Sequence, residues 1–223
     1  MAEYVEKKEN GELAILKISS KLAGSLQPVE LSRADGYVDF NDIMMVHNIG
    51  QNASLAVDVG EFMGDENQQL YSTTASTDNS PYTRSAFRIV RYKNETREYR
   101  EPHYLHYGEQ FHLVTHHEFH RVPLYLYSTL KTTGHSSKLA HEQLVAMSTK
   151  ADWSTVWQVL PVKPTERRTR EGDPVPVNAP VIISHCSTNM MLMALNFKYA
   201  NVFGNEFEVA SGKKLDKHKA ELD

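Results

Sequence analysis

Ala179-Pro180-Val181-Ile182-Ile183-Ser184-His185 joins a small lead to a short β-branched run and a polar close. Its length and branching read as a strand rather than a helix. The same arrangement stands twice earlier, as Asn41-Asp42-Ile43-Met44-Met45-Val46-His47 and Glu109-Gln110-Phe111-His112-Leu113-Val114-Thr115. Aligning Ile43, Phe111 and Val181 gives separations of 68 and 70 residues. A fixed period of that size is the trace of a repeated supersecondary unit.

Working outward, each of these runs is followed by a second apolar segment: Leu55 to Val57, Leu124 to Tyr127 and Met191 to Leu195. A third follows at Tyr71 to Ala75, Gln143 to Met147 and Phe207 to Val209. A fourth closes the first two units, where Phe87 and Ile89 alternate with Arg88, and Trp157 and Val159 flank Gln158. Phe87 to Trp157 is again 70 residues. Four strands repeated three times predict a mainly β chain with a β-trefoil-like (MIR-like) domain of three pseudo-repeats. Residues 1–36 show no β-alternation, and Leu13, Leu16, Leu22 and Leu26 fall near helical spacing. They are expected to form an N-terminal arm or short helix, with the β domain over 37–223. The same arithmetic puts a third closing aromatic near residue 227, so the expectation is a final strand missing after 223 and a sheet edge in want of a partner.

Composition narrows the function classes. Lys and Arg number 24 against 28 Asp and Glu, a net charge of -4, whereas a general nucleic-acid binder carries a basic excess. No apolar run approaches the ~20 residues of a bilayer crossing, and Met1 to Asn10 lacks the apolar stretch of a signal peptide. A soluble intracellular protein with no nucleic-acid or membrane partner is expected. The single cysteine, Cys186, excludes an intramolecular disulfide.

Catalytic signatures are weak. Six histidines crowd between His103 and His120, and a metal-enzyme reading would gather His112, His116 and His120, but no HExxH motif accompanies them. His185 adjoins Cys186, yet neighbours on a strand face opposite ways, so Cys186 reads as a small core residue and not a nucleophile. GxSxG, Walker A and GxGxxG are absent. The expectation is therefore no catalytic residue, metal or cofactor. Two basic groups remain as contacts for an acidic partner: Arg167, Arg168 and Arg170 between flanking prolines, and Lys17, Lys21 and Arg33 in the arm. The alternative is a carbohydrate-binding or MIR-like ligand module, which requires an aromatic with acid or amide partners recurring in all three units.

Five segments carry a resemblance that exceeds any short motif. They are Asp35 to Asn48, Thr155 to Leu160, Gly172 to Asn189, Phe203 to Val209 and Leu215 to Glu221. In wording and order they closely resemble the family of cilia- and flagella-associated protein 161. The resemblance implies a structural microtubule inner protein on the luminal wall of the A-tubule of ciliary doublet microtubules, stabilising the axoneme. The implied partners are α/β-tubulin and other microtubule inner proteins, with no enzymatic activity. Relatives in that family continue past the segment matching Leu215 to Glu221 into a tryptophan-bearing closing strand.

Overall fold

The computed structural model describes residue 19 and residues 22–33, 36–62, 69–93 and 97–213. Twelve strands follow in order: β1 Ile43–Met44, β2 His47–Asn48, β3 Ala53–Phe62, β4 Leu70–Ser76, β5 Phe87–Arg91, β6 Gln110–Thr115, β7 Tyr125–Ser128, β8 Gln143–Ser148, β9 Trp157–Pro161, β10 Val181–His185, β11 Met191–Asn201 and β12 Gly204–Gly212. Eleven of them correspond to the segments of the predicted repeat, and the two-residue β2 has no counterpart in the other units. The barrel wall runs β1-β5-β6-β9-β10, each pair antiparallel.

Pairing between units repeats with a constant offset. Phe87 opposes Thr115 and Ile89 opposes Leu113 across β5 and β6, while Trp157 opposes His185 and Val159 opposes Ile183 across β9 and β10. Every partner has moved by 70 residues. The alternate residues of these strands point inward, so Phe87, Ile89, Phe111, Leu113, Trp157 and Val159 form the buried core. The indole Nε1 of Trp157 donates to the Leu126 carbonyl at 2.8 Å, which satisfies its polar edge inside that core.

The first unit departs by one residue from the alignment read in the sequence. Met44 opposes Phe87 as Phe111 opposes Trp157, so Met44, not Ile43, is the counterpart of Phe111. Met44 and Val46 pack on the core. Ile43 turns its backbone outward, accepting from the Ser32 N–H and donating to the Ser32 hydroxyl. A left-handed residue stands three positions before each first inward residue: Asn41 (φ 72°), Gly108 (φ 82°) and Asn178 (φ 61°). Asn and Gly are the residues that adopt this conformation at least cost.

Both ends of the barrel close by pseudo-threefold contacts. At one end the Val38 N–H donates to Val175, Val175 to Leu105 and Leu105 back to Val38, at 2.8 to 2.9 Å. At the other, β4, β8 and β12 pair pairwise into a triangle. The side wall is uneven. Val181 and Ile183 are half-buried where their counterparts Phe111 and Leu113 are 1% exposed, and among the described residues no strand pairs with β10 along its edge away from β9 at these positions.

Ahead of the barrel, residues 22–25 make a helical turn, and the Leu26 N–H bonds back to Leu22 at 3.1 Å. The chain then runs extended against the first unit, with hydrogen bonds from Val29 to Pro81 and from Thr83 to Gln27.

Candidate partner-binding surface

The residues that sequence reading singled out for chemistry are each held separately. His112 Nδ1 donates to the Thr155 carbonyl at 2.9 Å, His116 Nδ1 accepts from the Glu118 N–H, and His120 Nδ1 donates to Val122 at 3.1 Å. Among the described residues no three histidine, cysteine or carboxylate side chains converge as a metal site. His185 is fully buried, its Nε2 donating to the Ser154 carbonyl at 3.0 Å and its Nδ1 accepting from Thr188 at 2.9 Å. Burial lowers the pKa of His112 and of His185, so both are held as neutral rings. Cys186 opens the turn after β10 and is half-buried, so it is not the core residue expected; the strand ends one position earlier, where the Asn189 N–H bonds to the His185 carbonyl.

One buried ion pair escaped sequence reading. Arg84 Nη1 and Nη2 donate to Glu206 Oε1 and Oε2 at 2.8 and 2.9 Å, with both side chains about 4% exposed or less. Thr74 Oγ1 and Asn201 Nδ2 also donate to Oε2, at 2.6 and 2.7 Å, and the Phe203 ring covers the guanidinium at 3.6 Å. Burial pushes the Glu206 carboxyl up, but Arg84, Thr74 and Asn201 together outweigh it and hold the pKa down at about 2. With four donors on its two carboxylate oxygens, Glu206 forms a structural tie between the first and third units.

The arginine loop, by contrast, faces outward. A 3₁₀ turn over Pro164–Glu166 leads into it. Arg167 is half-buried and donates through Nε to the Pro161 carbonyl at 3.4 Å, while Arg168 is exposed. Arg170 lies over the Tyr107 ring, 4.5 Å from its centroid, and 3.8 Å from Glu166. Arg167 and Arg168 line a cleft of about 410 Å³ with Arg97, Tyr107 and Glu171, floored by Leu160 and Pro161. Arg97 reaches Glu171 at 3.2 Å and also donates to the Gly108 carbonyl. Arg33 is exposed on the extended segment before β1 and does not line this cleft; Lys17 and Lys21 lie outside the described residues. Arg97 went unnoticed because it sits in a charged stretch, Glu95 to Glu101, that reads as a solvated linker.

The aromatic that recurs at Phe87 and Trp157 is fully buried, so neither ring is available to stack on a ligand as a carbohydrate module requires. Three strand units, the third described as far as its third strand, and two threefold closures define a β-trefoil of the MIR-like type. A solved structure of the same architecture, the SDF2-like protein from Arabidopsis thaliana, superposes with a TM-score of 0.62 at 16% identity, covering 81% of this chain and 90% of that one. Residues 25–223 match the Cilia- and flagella-associated protein 161-like domain, and the chain belongs to that family. It is similar to cilia- and flagella-associated protein 161 of Danio rerio, 29% identical over 239 residues that cover 99% of this chain and 78% of the fish protein. The Bos taurus protein of the same name is 28% identical over 99% of this chain and 73% of its own length.

Proposed function

We propose that this cilia- and flagella-associated protein is a structural microtubule inner protein. It binds the luminal wall of the A-tubule of doublet microtubules, touching α/β-tubulin and neighbouring inner proteins, and it stiffens the lattice without catalysing a reaction. Membership of the family carries this reading, because it assigns the whole described β-trefoil to a cilium-associated protein. His112, His185 and the Arg84–Glu206 pair each make hydrogen bonds that hold the barrel together, as a rigid scaffold requires. Arg33, Arg167, Arg168 and Arg170, together with Lys17 and Lys21, are the proposed contacts. A rigid scaffold suits a repeating lattice, where modest contacts gain from simultaneous engagement of neighbours.

The test is to express the tagged full-length protein in a ciliated cell, strip membranes with detergent and extract axonemes with high salt. Retention in the salt-washed doublets, and internal density at its position by electron cryo-tomography, is the expected result. Release with the detergent or salt wash overturns the reading.

A further inference from the structure

The geometry points to the cleft beside β9 as a receptor for a carboxylate-bearing peptide segment of a partner protein. This rests on the reading above and deepens it. Three guanidinium groups, Arg97, Arg167 and Arg168, line a concavity of about 410 Å³, with Glu171 the one acid among its described lining residues. The chain as a whole carries a net charge of -4, so this concentration of positive charge is local and set against the overall field. Glu171 shows what the cleft accepts. Its carboxylate sits 3.2 Å from Arg97 with 60% of the side chain exposed, so an incoming glutamate or aspartate can replace it at little cost.

Two further features separate a carboxylate from a phosphate. Phosphate sites are built largely from free backbone amides. Here the Gly108 N–H is already bonded to the Val159 carbonyl at 2.8 Å and the Gly172 N–H to the Tyr107 carbonyl at 3.0 Å. The donors lining the cleft are guanidinium forks, which take carboxylate or phosphate in two-point contacts, so the engaged amides and the apolar lining are what favour a carboxylate. Tyr107, buried under the Arg170 guanidinium, walls one side of the cleft. Leu160 and Pro161 supply an apolar floor, so an acid flanked by an apolar residue fits better than a bare polyanion.

The probe is a fluorescein-labelled octapeptide, Gly-Glu-Glu-Leu repeated twice, followed by anisotropy against the full chain at low and physiological salt. Controls are the same peptide with Gln for Glu and a single-stranded RNA octamer. The Glu peptide is expected to bind and the other two to bind at least about tenfold more weakly. Arg168→Glu, an exposed change, weakens binding about fivefold or more, equivalent to about 1 kcal/mol. Glu171→Gln removes the internal competitor and tightens binding, while Lys131→Glu, an exposed change outside the cleft, leaves it unchanged. Equal binding of the Gln peptide, tighter binding of the RNA, equal loss with Lys131→Glu, or no binding of the Glu peptide each overturns the proposal. Retention of Arg168→Glu and Glu171→Gln in salt-washed axonemes is scored separately. Normal retention with no peptide binding refutes the cleft alone, whereas release of the wild-type protein refutes the luminal reading.

Discussion

Replacing Glu206 by Gln tests whether the tie between the first and third units holds the barrel. The change keeps shape and one acceptor oxygen but removes the charge opposite Arg84, and it turns an amide N–H₂ toward the Asn201 and Thr74 donors or toward Arg84 itself. Breaking a buried ion pair from one side costs about 3 to 5 kcal/mol because the remaining ion is left unpaired. The proton linkage gives an independent figure. A carboxyl with a folded pKa of about 2 against an ordinary value of 4.5 contributes about 3 kcal/mol at neutral pH. A depressed folded pKa means that this stability is complete above about pH 5 and is lost as pH falls toward 2. At pH 3.5 roughly 1 to 1.5 kcal/mol of it has gone. Urea unfolding followed by tryptophan fluorescence at pH 7 and pH 3.5 reads both numbers. Glu206→Gln is expected to lower the pH 7 stability by about 3 kcal/mol, and the gap to wild type narrows at pH 3.5. A difference under about 0.5 kcal/mol at pH 7, the scatter of ordinary surface changes, refutes the reasoning, as does a gap that does not move with pH.

Trp157→Phe leaves the Leu126 carbonyl without its donor and a small void in the core, so a loss of about 1 to 3 kcal/mol is expected, read as a fall of several degrees in the thermal midpoint. Amide exchange tests the uneven wall: the Val181 and Ile183 amides exchange far faster than those of Leu113 and Ile89, and equal protection contradicts the described pairing. For His112 and His185, burial favours the neutral ring. Long-range ¹⁵N spectra should show both still neutral as pH falls below 6.5, and a charged imidazole at pH 6.5 at either position counts against the described burial.

Much of the fold was legible because a half-buried strand alternates. Phe87-Arg88-Ile89 and Trp157-Gln158-Val159 announce their inward faces, and the 70-residue offset between them is the offset of the folded units. The one-residue slip in the first unit arose where alternation fails. Ile43-Met44-Met45-Val46 is apolar throughout, so either register satisfies the pattern. The left-handed series Asn41, Gly108 and Asn178 carried the missing signal, since a turn that needs positive φ fixes register where side-chain polarity does not. The arginine loop was visible as a charge run, but its partners were not. Arg97 meets Glu171 across 74 residues and Arg84 meets Glu206 across 122, and neither spacing leaves a mark in a single sequence. Such contacts follow from topology, and topology is settled only after the strands have paired.

The triangle formed by β4, β8 and β12 imposes an order on synthesis. Two of its sides require β12, the last described strand, so the cap remains open until residue 212 has left the ribosome. From Ser148 to Gly212 is 64 residues, which at about 5 to 20 residues per second is roughly 3 to 13 seconds of waiting. Throughout that interval Arg84 has no carboxylate opposite it, because Glu206 has not yet been made. The first two units therefore emerge as an incomplete assembly, with the edges of β4 and β8 that face β12 unpaired until the third unit arrives.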